Sequence, residues 1–213
     1  YIEKALFQID NKFLNEPVSG VISEENKLKL ITEKRTEYFD YCLICSHPPQ
    51  SLEILKNADY ITKDLLSKFK YQKNKAVLHF DDSVLPMKKI AWAAWNYLST
   101  ETTTGDDTVS VSYLINKLQP LPVNKAVIVT LNPPIKIDKN KVVKEINYEH
   151  PLFSKEAIMA QQKMDSIQGR DGVYFSGAWL RYGYHEDGIL SSKSVINKLL
   201  EDDGKNERLL RIL

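Results

Sequence analysis

The sequence has no surplus of charge of either sign: 29 Lys and Arg balance 28 Asp and Glu, a formal net charge of +1 over 213 residues. Nucleic-acid binding needs a basic excess gathered on one face, so that class of partner is not expected. No apolar run approaches the roughly 20 residues that would cross a bilayer, and none has the layout of a secretory signal. A cytoplasmic protein is therefore expected. Internal repeats and low-complexity tracts are lacking as well. Cysteine is scarce: two residues in all, both in the stretch Cys42-Leu43-Ile44-Cys45. A metal site would need a second pair, and a redox pair would sit where a loop enters a helix. The run from Tyr38 to Cys45 instead reads as a buried strand, which sends residues three apart to opposite faces. Both cysteines are thus expected as small buried hydrophobes, bonded neither to each other nor to a metal.

An initiator Met is missing too. The chain opens at Tyr1 inside an amphipathic pattern, with Ile2, Ala5, Leu6, Ile9 and Phe13 at helical spacing. It is read as a fragment with an upstream portion missing. What is present is ordinary for a globular protein, with 43% hydrophobic and 27% charged residues. Glu16 to Ile22 and Lys27 to Thr32 flank a turn at Ser23 to Asn26, the pattern of a hairpin. Pro48 and Pro49 end the strand that follows. Helical patterns run through Ser51 to Lys56 and through Ile61, Leu65, Leu66 and Phe69. From about Tyr71 strands dominate: Ala76 to Phe80, Lys89 to Tyr97, Thr108 to Ile115, Ala126 to Leu131 and Lys141 to Tyr148. Ser110 and Ser112 alternate with Val109, Val111 and Tyr113, which predicts a wet face. Ile90 to Trp95 is apolar on both faces and is expected to be covered on both sides. The residues between Ser99 and Asp107 read as a polar hairpin tip. A helix is expected over Lys155 to Met164.

The last unit carries the most information. Gly172 to Ala178 reads as a strand, Trp179 to Glu186 as a loop, and Asp187 as the N-cap of a helix with Ile189, Ser192, Ile196 and Leu199 on one face. A strand that ends in small residues and feeds a helix N-terminus offers backbone N–H groups to an anion or a polar cofactor edge. Gly177, Ala178 and Gly188 would let such a group approach the backbone. In the acidic stretch His185-Glu186-Asp187, the two carboxylates would repel a bare phosphate. The bland alternative is a plain strand-to-helix connection.

Residues 172–190 resemble the C-terminal FAD motif of a bacterial family of NAD/FAD-binding oxidoreductases of the flavin amine-oxidase type: a Gly-Ala, a Gly-Phe-His-Glu-Asp-Gly, then a helix. Further blocks match in order. They are Phe39-Asp40 to Ser46-His47, Tyr71-Gln72 with Asn74, Leu78-His79 with Asp81, Ala91-Trp92 with Trp95-Asn96-Tyr97, Asn116 with Leu118-Gln119, Val129 to Pro133, and Glu149-His150-Pro151. The resemblance implies an α/β (α+β) fold, the C-terminal part of an FAD/NAD(P)-binding amine-oxidase-like protein. Residues 1–60 and 170–213 would form a partial FAD-binding domain. Residues 61–169 would form the substrate domain, with a separate sheet over 71–150. The family's Gly-x-Gly-x-x-Gly is lacking here, so the N-terminal half of the same protein becomes the expected partner.

The implied activity is FAD-dependent: hydride removal from an apolar substrate, a lipid or an amine. Relatives are associated with cyclopropane fatty-acid synthases. Val18 would meet the adenine through its backbone. Gly177, Ala178, Gly188 and Ile189 would lie near the ribityl chain and the flavin ring. His185 is the one histidine expected beside the flavin, as a catalytic or supporting group. His79 reads as a satisfied core histidine, and His47 and His150 as residues at strand ends before proline. Trp92, Trp95, Tyr182 and Tyr184 are the candidates to line a substrate cavity. Asp81-Asp82 has no third ligand, so no metal is expected. Two departures from the family stand out. Arg181 replaces an aromatic or small residue, and Ser192 stands where a glycine is common. The rival reading is a non-catalytic fragment or interaction module that binds no cofactor by itself.

Overall fold

The computed structural model describes residues 2–100 and 108–204. The predicted hairpin tip therefore falls, from residue 101 to 107, outside the described residues. The chain divides into two compact units, one made of residues 1–70 with 151–213 and the other of 71–150.

In the first unit, helix α1 (Ile2–Leu6) is five residues long and none of it is buried. The expected longer helix stops before Ile9, at a stretch holding the turn formers Asp10 and Asn11. Phe13 instead stacks under the Arg35 guanidinium. Strands β1 (Val18–Glu24) and β2 (Lys27–Thr32) form the expected hairpin, but its turn is only two residues. Glu25 and Asn26 both have positive φ, 46° and 68°, which matches the twist of the flanking strands. Strand β3 (Thr36–Phe39) pairs antiparallel with β2.

The single strand predicted over Tyr38 to Cys45 is two strands. The chain leaves the meander at Asp40, and β4 (Cys42–Ile44) joins a different sheet. The cysteines are not bonded to each other, and they are only partly inside: Cys42 is half-buried and Cys45 exposed. Burial pushes the Cys42 thiol up to about 11, with the neighbouring Cys45 adding to it. Helix α2 (Pro48–Ile54) starts on the two prolines expected only to end a strand, because proline fits the first helical turn, where its missing N–H is not needed. Helix α3 (Tyr60–Ser67) is capped by Asp59, whose carboxylate accepts the Thr62 N–H at 3.0 Å.

The second unit is built on five strands: β5 (Lys70–His79), β6 (Trp95–Thr100), β7 (Thr108–Leu114), β8 (Ile128–Leu131) and β9 (Val142–Leu152). Their order is β6-β7-β8-β5-β9. The strand expected from Lys89 begins only at Trp95; Lys89–Ala91 is a turn of 3-10 helix and Ile90 is 95% exposed. Ile90 to Trp95 is therefore not covered on both sides. A short helix, α4 (Ile115–Leu118), follows β7.

The predicted wet face of β7 is the buried one. Ser110 and Ser112 are each 1% exposed, while Val111 and Tyr113 are half-buried. Burial is possible because each hydroxyl is satisfied. Ser110 donates to the Leu131 carbonyl at 2.7 Å. Ser112 and Thr130 share a bond at 2.9 Å, and Thr130 meets His79 Nε2 at 2.8 Å. His79 Nδ1 accepts the Asp81 N–H at 3.1 Å, so the ring is neutral with its proton on Nε2. That is the satisfied core histidine the sequence implied. The same side carries the core of Val77, Val84, Leu85, Leu114, Ile128 and Ile137. The opposite side is apolar and open. Trp95 pairs with Tyr113 and Tyr97 with Val111, and the Trp95 and Tyr113 rings meet edge to face at 5.5 Å.

Candidate functional site

The chemistry expected of the chain centres on the connection from β10 (Val173–Phe175) to α6 (His185–Asp203). All three residues of β10 are buried, and they pair in parallel with Cys42, Leu43 and Ile44 of β4. Among the described residues these two strands pair only with each other. Helix α5 (Lys155–Gln161) lies upstream, capped by Ser154 and shorter than predicted.

After β10 a cluster of hydroxyls ties the strand to the helix. Ser176 Oγ lies 3.0 Å from Ser191 Oγ and 2.9 Å from Ser192 Oγ. Ser191 and Ser192 also donate to the Gly188 carbonyl, each at 2.9 Å. Ser192, where the resembled family commonly has glycine, is thus a tie between strand and helix.

The glycines differ from one another. Gly177 donates its N–H to Ser191 Oγ at 3.0 Å, so that donor is already used. A Cβ on Gly177 would come within 2.4 Å of Trp179 Nε1. Glycine is needed there to admit the Trp179 indole, which is 4% exposed and packs edge-on to Phe69 at 4.7 Å. The Trp179 indole N–H is buried with no hydrogen-bond partner. Gly188 is unlike Gly177. A Cβ there would meet only Ala178, at 3.9 Å, so the chain's own packing leaves room beside Ala178. Gly177, by contrast, has neither space for a side chain nor a free N–H to offer. Gly183, at φ 92°, turns the chain between them.

Asp187 is not the N-cap. The helix begins at His185, and Asp187 is its third residue, 6% exposed. Its carboxylate accepts the N–H groups of Tyr184 at 3.0 Å and Tyr182 at 3.3 Å. Arg181 stands 3.6 Å from the same carboxylate. The unusual arginine therefore balances the acid that seemed set to repel a ligand. Gln161 holds the turn from the other side, donating to the carbonyls of Trp179 and Arg181 at 2.8 Å each. Sequence reading missed Gln161, which has no local signal. An acid three residues after the true cap, as in a capping box, was the available sign for Asp187.

The buried face of α6 is Asp187, Ser191, Val195 and Asp203, one step round from the predicted face. Ile189 is 52% exposed, and Tyr182, Tyr184 and His185 stand at the surface around the same turn. Ala178, Gly188, Ile189, His185 and the two tyrosines are thus gathered on one turn. Val18 lies at the start of β1, on a separate sheet. In the other unit, Trp95 is on the open face of the five-stranded sheet. Trp92 packs against the core cluster and donates its indole N–H to the Pro86 carbonyl at 2.8 Å. It is removed from Trp95's side of that sheet.

No protein-family model and no curated protein matches the chain. Solved structures do. The chain is similar to a CLA-producing fatty acid isomerase from P. acnes, with TM-score 0.58, 15% identity, and coverage of 86% of this chain and 47% of that one. It is similar to a protein from Exiguobacterium sp. 255-15 assigned as a protoporphyrinogen oxidase, with TM-score 0.60, 13% identity, and coverage of 94% and 50%. It is also similar to a putrescine oxidase redesigned in its cofactor binding, with TM-score 0.61, 11% identity, and coverage of 94% and 52%. The chain spans about half the length of these proteins. The fold is a mixed α+β fold of the amine-oxidase type. Among the described residues no helix is long and apolar enough to cross a membrane.

Proposed function

We propose that the chain is part of an FAD-dependent oxidoreductase of the amine-oxidase type, acting on an apolar lipid or amine substrate. The observation that carries this reading is the room left at Gly188 beside Ala178, on a strand-to-helix turn, in a fold shared with oxidases. When bound, FAD supplies the acceptor for the substrate's hydride. The chain's own residues position and shield. Ala178 and Gly188 let the cofactor edge approach the backbone, and Ile189, Tyr182 and Tyr184 keep water from it. His185 stands exposed on the same turn and would face the cofactor's surroundings, while Gly177 acts indirectly by seating Trp179. The open apolar face with Trp95 suits an apolar substrate. Two free thiols fit a reducing, cytoplasmic setting.

The pyrophosphate of FAD is held in such folds by a glycine-rich turn and a helix N-terminus. This sequence contains no Gly-x-Gly-x-x-Gly, and β4 has no strand on its outer edge among the described residues. A further segment of the same protein is the natural partner for both. Lost hydrogen bonds to a charged group cost about 1.5–3 kcal/mol each. Two such losses weaken binding by roughly two to four decades. The test is a flavin-fluorescence titration of the 213-residue chain and of a longer version that carries the glycine-rich turn. Weak binding by the chain and tight binding by the longer protein, which would be yellow with absorbance near ~450 nm, are expected. Submicromolar binding by the chain alone would show that the cofactor site is complete within it.

A further inference from the structure

We propose that residues 71–150 carry a second binding site, for an amphipathic carboxylate, in a groove beside β5 and β9. The open groove has a volume of about 630 Å³, within the range of small-molecule sites. Its apolar wall includes Val77, Ile135, Ile137 and Val142. Val77 and Ile137 belong to the core, and Val142 packs against it. An acyl chain laid in the groove therefore extends the core and leaves little polar surface to desolvate. Pro133 and Pro134 complete the wall and have no backbone N–H to leave unpaired.

The rim has the opposite character. Lys75, Lys136 and Lys139 line it against a single acid, Glu145, which Lys75 bridges at 2.9 Å. An adjoining polar depression shares Lys75 and Asn132 and adds Lys73 and Glu149. Four lysines thus face two glutamates, a local excess of two positive charges in a chain whose whole net charge is +1. The polar end is held in place by a one-way chain of hydrogen bonds. Asn132 Oδ1 accepts the Lys75 N–H at 2.9 Å, and Asn132 Nδ2 donates to Asn74 Oδ1 at 2.6 Å. Asn74 Nδ2 in turn lies 3.1 Å from His150 Nδ1. Three stretches singled out in the sequence, around Asn74, Asn132 and His150, meet here and have no part in the β10–α6 turn. An apolar slot under a cationic rim selects a molecule that has both an acyl chain and an anionic head. A cation of equal length is repelled, and a bare anion gains nothing from the slot.

Equilibrium dialysis of the whole chain against labelled decanoate, kept below its micellar concentration, tests this. Saturable binding at one site is expected, with decylammonium and inorganic phosphate excluded. Lys136→Glu/Lys139→Glu and, separately, Ile135→Asp are each expected to weaken decanoate binding at least about tenfold. Circular dichroism checks that these surface variants stay folded, and their unchanged response to FAD separates this site from the flavin reading. Variants that bind decanoate as the parent does, or equal uptake of decanoate and decylammonium, would overturn the proposal. So would capture of the protein by phosphatidylglycerol vesicles without uptake of monomeric decanoate, because the surface would then serve a membrane.

Discussion

Gly177→Ala is expected to destabilise the unit that contains β10 and α6 by about 2–3 kcal/mol, whereas Gly188→Ala stabilises it by about 0.5–1 kcal/mol. Both positions are small residues near the same turn, and sequence alone treats them alike. At Gly177 the new methyl would lie 2.4 Å from the Trp179 indole nitrogen. The backbone there is extended, at φ 161°, so the cost comes from the ring and not from strain. Trp179 is packed against Phe69 and cannot retreat without losing that burial. At Gly188 the nearest atoms are 3.9 Å away, so alanine fits and gains helix propensity. Urea unfolding of the two variants, with Trp92 and Trp95 replaced by phenylalanine so that emission reports Trp179, distinguishes the cases. A red-shifted, weakened Gly177→Ala protein beside a strengthened Gly188→Ala protein is the expected pair. Because Gly188 is where the cofactor edge is proposed to lie, the same stabilising change should weaken flavin binding.

Asp81→Asn is expected to cost the five-stranded unit about 2 kcal/mol at neutral pH. The Asp81 side chain is 7% exposed. Burial works to raise its pKa. The Asp138 N–H at 2.9 Å, the Lys141 ammonium at 3.2 Å and the Ser83 N–H together outweigh it and hold the carboxyl at about 2. The group is therefore more acidic folded than its ordinary value of 3.8. Its contribution is complete above that value and is lost as pH falls towards 2. His79 adds an earlier loss. Burial lowers its pKa, so the folded ring resists a proton that the unfolded ring takes up near the ordinary value of 6.5. Stability is full above that pH and declines below it. Protonation at Nδ1 would also set two donors face to face, since that nitrogen accepts the Asp81 N–H. Chemical unfolding across pH 7 to 3 should show the His79 loss first. The Asp81→Asn variant should lack the steeper fall at the acid end.

Elements with a strong local signal were legible. The β1–β2 hairpin and the helices after Pro48 and Asp59 followed from pattern. The errors have physical causes. Ser110 and Ser112 looked like a wet face because hydropathy scores a hydroxyl as exposed. Partners on β8, distant in sequence, satisfy them inside. Ile90 looked buried because apolar runs look alike whether they form a strand or an exposed turn. Asp187 looked like a cap because aspartate is a common N-cap; it instead accepts from Tyr182 and Tyr184, which precede it, as the third residue of the helix. At the candidate site the resemblance singled out this turn, but it could not tell that Trp179 occupies the space at Gly177.

FAD is proposed to meet this chain along the turn from Ala178 to Ile189. Nuclear magnetic resonance of the isotope-labelled chain titrated with FAD tests it most directly, since weak binding still moves amide signals. The amides of Ala178, Gly188 and Ile189 are expected to shift together with rising FAD, and Gly188→Ala is expected to suppress those shifts. Unmoved signals across that turn, or shifts gathered on another part of the chain, would contradict it.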